Sequence, residues 1–401
     1  MTTTRTVRLA VLAALILGAA ACSSSSSSKS TSATTAAGGT ATTASAGTTA
    51  TTVDPLAAAE ASTTQAEKGT YRDVDPTSRP AVKGKHIVVI SAGEASISSQ
   101  VPSDAAVAAA KAIGWQVDLY DAKLNPANWA PLVRQAIAAH ADGIVLDAID
   151  CDQVQQPLEE AKAAGIAVVP IYAFDCTDAH AGNEPTGLFS ANINYGPKME
   201  ANVDAFTESY GADQANYIIA ASHNTAKIIA IQDPEFTVLY YTLKGFADTI
   251  AASGGSKVVD TLNVTSSDLL GGKVPAEIEA ELLRHPEATW IKSPYTYITT
   301  LGISAALAGK APGSINVMGG EGFQPELDLI RKGVVTAVNA ISSEWTGWAA
   351  VDTMNSVFSH QKPVDSGIGW QIADKDHIPA SGPLVPTVDF KSEYMKAWGV
   401  S

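Results

Sequence analysis

The stretch "GIVLDAIDCDQVQQPLEEAKAAGIAVVPIY", residues 143–172, holds two short apolar runs with a helical pattern between them. The outer runs, "GIVLDAID" and "IAVVPIY", are too short for buried helices and rich in β-branched residues, so both read as strands covered on two faces. Between them "DQVQQPLEEAKAAG" carries an amphipathic pattern that stops at a glycine, the signature of a helix. Strand, helix and strand in about 30 residues make a βαβ unit, whose strands pair in parallel.

The same unit repeats outward in both directions. Upstream, "HIVVISA" (86–92) leads to "SDAAVAAAKAIG", with Ser103 as the expected N-cap and Gly114 as the stop. "WQVDLYDA" then leads to "NPANWAPLVRQAIAAH", started by Asn125 before Pro126. Downstream of "FSANINYGPKMEANVDAF" a second series runs through "AKIIAIQ", "SKVVDTLNV", "ATWIKS", "INVMGGEG" and "VVTAVNAIS", with helices between, among them "EFTVLYYTLKGFADTIAASG". Two series imply an α/β fold of two Rossmann-like lobes, each a parallel sheet with helices on both faces. Ligands of such sheets collect at the carboxyl ends of the strands, so two lobes facing each other there enclose a cleft.

The amino-terminal part concerns location. Arg5 and Arg8 precede an apolar run, Leu9 to Leu17, and small residues end at Cys22. This reads as an export signal over residues 1–21, since the apolar run is well short of the ~20 residues a spanning helix needs. Residues 22–66, almost wholly Ser, Thr, Ala and Gly at first, read as a flexible tether. The folded part divides into an N-terminal lobe, 67–192 plus 343–370, and a C-terminal lobe, 193–342 plus 371–401.

Composition excludes several classes. With 26 Lys and Arg against 41 Asp and Glu the net charge is −15, which argues against nucleic acid and anionic lipid surfaces as partners. No Gly-x-Ser-x-Gly elbow, His-Glu-x-x-His pair, P-loop or Gly-x-Gly-x-x-Gly turn is present, and the seven histidines are scattered singly. An enzyme is therefore not expected, and no cofactor is implied; Glu94 and Glu321 as a glycosidase-like pair is the remaining catalytic reading. Besides Cys22 there are only Cys151 and Cys176, an even pair that permits one disulfide in an exported protein. A zinc site from Cys151, Cys176 and His180 lacks a fourth ligand at usable spacing.

From Lys83 to about Ser359 the chain resembles the type I periplasmic binding proteins, in particular the ribose- and galactose-type sugar-binding proteins of ABC importers. The residues that carry the likeness are 143–172, "INVMGGEGFQPELDLIRKGVVTAVNA" (315–340) and the crossing segment "SANINYGPKMEA". Cys22, after Ala-Ala-Ala and before serines, resembles a bacterial lipobox with Ala19 where leucine is usual; ordinary secretory cleavage is the rival reading. The resemblance implies a lipid-anchored monomer on the extracytoplasmic face of the cell membrane, which carries a small-molecule ligand to ABC permease subunits. It also implies three crossings between lobes, near Ala191–Asn194, Ile341–Ser343 and Trp370–Ala373, and a return of "EWTGWAAVDTMNSVFSH" to the first lobe. Cys151 and Cys176 follow strands that lie side by side in this fold, so a disulfide between them is expected.

Members of that family place an Asp-Arg pair after the fourth strand and an arginine on a second-lobe helix, to grip vicinal hydroxyls. Here Tyr172 and Ala173 stand at the first place and Tyr240 at the second. Glu321 keeps a carboxylate after the "VMGG" strand, Asp147 ends the third strand, and Glu94 follows the first. The candidate ligand set is Glu94, Ser96, Asp147, Tyr172, Phe174, Tyr240, Tyr295, Glu321, Ser342 and Trp345, with Tyr241 beside it. Two solute classes stay open. The acids and the family's habit favour a sugar or polyol; the missing arginines and added aromatics speak for an aromatic or amine-bearing solute, for uptake or for signalling.

Overall fold

The computed structural model describes residues 54–196 and 203–400. The expectations for the signal segment, for Cys22 and for the tether as far as Val53 lie outside those residues. The end of the expected tether is a helix, α1 (Pro55–Ala66). Asp54 caps it by accepting the Leu56 N–H at 3.1 Å, and Pro55 occupies the first helical position. Leu56, Ala59 and Ala66 pack into one core with Ile218 and Ile219. Burial against a partner decides a segment whose composition alone suggests coil.

The first lobe is built on β1 (His86–Ser91), β2 (Gln116–Asp121), β3 (Gly143–Asp147) and β4 (Ala167–Ile171), in the order β2-β1-β3-β4 and parallel throughout. Successive residues of β1 enter opposite cores, Ile87 and Val89 on one face, Val88 and Ile90 on the other. Helix α2 (Ile97–Ala112) covers the first face, α3 (Trp129–Ala138) and α4 (Gln155–Ala163) the second. The loops after β3 and β4 are joined by the expected Cys151–Cys176 disulfide, with Cα atoms 4.9 Å apart.

The chain leaves the first lobe through residues 191–196, where Asn194 bridges Asp365 in parallel. The second lobe follows as α5 (Val203–Ala221), β5 (Lys227–Gln232), α6 (Thr237–Ser253), β6 (Lys257–Asn263), α7 (Ser266–Leu270), α8 (Val274–Arg284) and β7 (Trp290–Lys292). Then come α9 (Thr296–Ile298), a wider turn over Thr299–Ile303, α10 (Ser304–Ala306), β8 (Asn316–Met318), α11 (Gln324–Arg331) and β9 (Ala337–Ile341). From Ile341 the chain crosses back into α12 (Ser343–Phe358), which packs on α2 as the resemblance implied. It returns through residues 365–369 to β10 (Trp370–Asp374), antiparallel to β9, and ends in α13 (Phe390–Trp398). The sheet order is β10-β9-β8-β7-β5-β6.

Three details differ from the sequence reading. Helix α2 starts six residues before Ser103, with Ser96 as its N-cap; Ser103 is buried inside it. The helix runs through Pro102, where Gly347 of α12 lies so close that a Cβ there would meet the Pro102 carbonyl at 2.4 Å. The third crossing precedes Trp370–Ala373, which already pair with Val338–Ile341. Finally, α13 belongs with the first lobe. Its aromatic stripe, Phe390, Tyr394 and Trp398, meets Trp345 and Trp348 of α12, and the Trp398 indole N–H donates to Asp352 at 2.7 Å.

Between α1 and β1 a strap runs along the crossings. The Thr70 N–H donates to the Trp370 carbonyl, and the Arg72 guanidinium donates to both oxygens of Asp365 and to the Tyr195 carbonyl.

Candidate functional site

The carboxyl ends of both sheets face one cleft with about 840 Å³ of space, its open mouth included. The first lobe contributes Ser96, Ser98 and Ser99 at the start of α2, then Leu124, Ala148 and Tyr172. The second contributes Phe206, Thr207 and Tyr210 from α5, Phe236, Val238, Leu239 and Thr242 around the start of α6, and Pro294, Tyr295, Tyr297, Glu321 and Ile341 from the strand ends. Six of these side chains are aromatic, and Glu321 is the one that carries a charge. The cleft therefore offers ring faces and aliphatic walls with a carboxylate and several hydroxyls set into them.

Backbone shape puts key side chains there. Ala148 and Tyr172, just past β3 and β4, have φ of 52° and 51°, the left-handed region that non-glycine residues avoid. Such strain persists where surrounding bonds hold it. The Ala148 N–H donates to the Ile171 carbonyl, and the Tyr172 hydroxyl is held by Ser343 at 3.1 Å and Thr346 at 3.0 Å. On the other side, the "GGEG" turn carries Glu321. A Cβ on Gly320 would meet the Thr296 nitrogen at 2.4 Å, so only glycine lets the turn approach α9. Across that approach Glu321 Oε2 accepts the Thr296 N–H at 2.6 Å. Glu326, fully buried, holds the turn from behind: it accepts the Gly320 and Gly322 N–H groups and the Thr296 hydroxyl.

Three of the lining tyrosines spend their hydroxyls on the protein. Besides Tyr172, Tyr210 donates to the Asn339 carbonyl at 2.6 Å and Tyr295 donates to Asp233 at 3.0 Å. Burial pushes the Asp233 carboxyl up to about 7 and raises Tyr295 as well. What these tyrosines present to a solute is chiefly ring.

Four residues of the candidate set, Ser96, Tyr172, Tyr295 and Glu321, line the cleft. The others lie elsewhere. Trp345 is fully buried, stacked between Tyr71 and Phe390, with its indole N–H donating to the Ser366 carbonyl. Phe174 stacks on Tyr241 in the core, and Tyr240 lies on the surface against His180. Asp147, at the end of β3, is fully buried and accepts from Ser103, and burial raises its carboxyl well above the usual range. Glu94 is half-buried, raised first by burial and then by Asp104 and Asp121. Ser342 begins α12 without capping it, and its neighbour Ser343 is the one that holds Tyr172.

For Tyr240 the reason is helix phase. On α6 the cleft side reads Phe236, Leu239 and Thr242, spaced three apart, with Val238 beside them, and Tyr240 falls off that stripe. On α5, Phe206 and Tyr210 are four apart and share one face. These spacings were the signals that a strand-end rule passes over.

A family model described as periplasmic binding protein domain matches residues 87–362. Among solved structures, the chain is similar to an ABC transporter solute-binding protein from Burkholderia graminis in complex with D-arabinose, at 19% identity and a TM-score of 0.62 over 75% of this chain and 98% of that one. It is also similar to one from Agrobacterium vitis bound with α-D-tagatopyranose, at 20% and 0.64 over 74% and 97%, and to another from the same organism with bound allitol, at 18% and 0.58 over 73% and 96%. At these identities the likeness is one of fold. No curated protein has a matching sequence.

Proposed function

This chain belongs to the type I periplasmic binding protein family, and we propose that it captures a small solute between its lobes and delivers it to the permease of an ABC importer. The observation that carries the reading is the cleft itself, lined from both lobes at the carboxyl ends of two parallel sheets. A solute that touches both lobes favours the closed form by its differential affinity, and closure is the signal a permease reads. The sequence before Asp54 supports placement on the extracytoplasmic face, anchored through a lipid on Cys22, and the protein acts there as a monomer.

Sugars and polyols come first as solutes, since the three similar structures described above hold such ligands and the Glu321 carboxylate, which lines the cleft, suits hydroxyl donors. An aromatic or amine-bearing solute is the second reading, favoured by one observation: six ring side chains, no basic residue and one carboxylate line the cleft.

A thermal-shift panel of sugars, polyols, nucleosides, amines and small aromatics tests the proposal on the full chain. A solute at 100 times its Kd adds about 2.7 kcal/mol, enough to move the melt by several degrees. Glu321→Gln, whose amide oxygen can still accept the Thr296 N–H, should then weaken the hit at least tenfold in a protein that still folds. A panel with no hit, or conversion of the solute instead of its intact recovery, would overturn the reading.

A further inference from the structure

The lobes also meet outside the cleft, along one rim. Helix α6 of the second lobe starts at Thr237, and the residue in its cap position, Phe236, supplies no capping side chain. The cap comes from the first lobe. Asp150, in the loop after β3, accepts the Thr237 N–H on Oδ2 at 2.9 Å and the Phe174 N–H on Oδ1 at 2.8 Å. Around this pair the Thr237 hydroxyl donates to the His180 carbonyl at 3.2 Å, Gln153 donates to the Glu235 carbonyl at 2.8 Å, and the Tyr241 hydroxyl donates to Asp178 at 2.8 Å. The first-lobe partners lie in or beside the loop that the Cys151–Cys176 disulfide closes.

None of the residues that make these bonds lines the cleft. We propose that Asp150 is an interlobe latch: a carboxylate of the first lobe that caps a helix of the second only in the closed form, and so sets how much of the solute-free protein is closed. A carboxylate suits the place, because the first N–H groups of a helix lack partners and the helix dipole favours a negative charge there. Burial pushes the Asp150 carboxyl up to about 6, so it is still ionised at neutral pH. A larger closed fraction raises the apparent affinity for any solute whose binding-competent form is closed.

The substitution that separates latch from fold is Thr237→Pro. Proline suits the first residue of a helix, where its missing N–H has no intrahelical role. The preceding residue, Phe236, already has the extended backbone that proline demands, with φ −126° and ψ 117°. The change removes both the N–H that Asp150 accepts and the hydroxyl that reaches His180. Spin labels at two exposed positions beside the strand ends, through Ala127→Cys in the first lobe and Ser267→Cys in the second, report the opening. The full chain carries Cys22→Ser so that only these thiols react.

Electron–electron distance measurement on the solute-free protein should give one short distance, and Thr237→Pro should add a longer population while the far-ultraviolet circular dichroism of the folded protein is kept. Tyr241→Phe, which deletes only the bond to Asp178, should lengthen the distance in the same direction by less, and it keeps the test open should the proline variant not fold. A parent that is already open, or distances that neither variant changes, would overturn the latch. Its effect on affinity rests on the solute-binding reading, whereas the label distances do not. A protein that binds nothing in the panel yet opens on Thr237→Pro would lose the former and keep the latter.

Discussion

Lys292, the last residue of β7, is fully buried, and its side-chain nitrogen has no hydrogen-bond partner among the described residues; it lies 6.0 Å from the centre of the Phe246 ring. Burial lowers its pKa to about 7, with Glu321 pulling the other way. The unfolded chain keeps a proton on this amine up to a pH of about 10. Between pH 7 and about 10 the unfolded state therefore holds a proton that the folded state lacks, and stability rises with pH across that window. Lys292→Met, of similar length and without the charge, should raise the urea midpoint at pH 7, with the gap to the parent narrowing toward pH 10. Equal midpoints at pH 7 would show that the amine is hydrated or paired. At this scale the sequence was legible where a residue's place follows from the strand end alone, as for Tyr172, Tyr295 and Glu321. It was not legible for Trp345 or Phe174, because an aromatic side chain one turn past a strand can enter the core as readily as the cleft.

Elements were more legible than residues, because alternation of apolar runs and amphipathic stretches is a property of many positions at once. Every strand core read from the sequence is a strand, and α12 returns to the first lobe. The failures have local causes. The Ala- and Thr-rich α1 owes its place to Ile218 and Ile219 of a helix far along the chain, information that no window around Pro55 contains. The sequence reading started α2 at Ser103, whereas the helix begins at Ile97 and runs through Pro102, against which Gly347 of α12 packs closely. The disulfide is the element-scale feature with the clearest energetic consequence. It closes a loop across a sequence separation of 25, for which the chain-entropy account gives about 3 kcal/mol. The double variant Cys151→Ser, Cys176→Ser should lose stability of that order in urea titration. A loss under about 1 kcal/mol would mean that the loop stays ordered in the unfolded chain.

For the whole molecule, the two sheets suggest two units, but the packing does not divide with them. One core joins Val169 and Trp348 of the first lobe to Phe206, Tyr210 and Tyr241 of the second. Three crossings and the strap through Arg72 tie the lobes again at the hinge. Urea should therefore unfold the described domain in one transition, with tryptophan fluorescence and far-ultraviolet circular dichroism superimposing. Two separated midpoints would show that each lobe stands alone.

The rim contact at Asp150 bears on how the protein would meet its transporter. A permease that senses only whether the lobes are shut cannot tell an empty shut protein from a loaded one. Each empty docking would then start a round of ATP hydrolysis that moves nothing, and loaded and empty copies would compete for the same seat. A chain of this kind suits a cell in which its solute is scarce and held tightly, where the fuel spent on idle rounds matters less than never letting a captured molecule diffuse away.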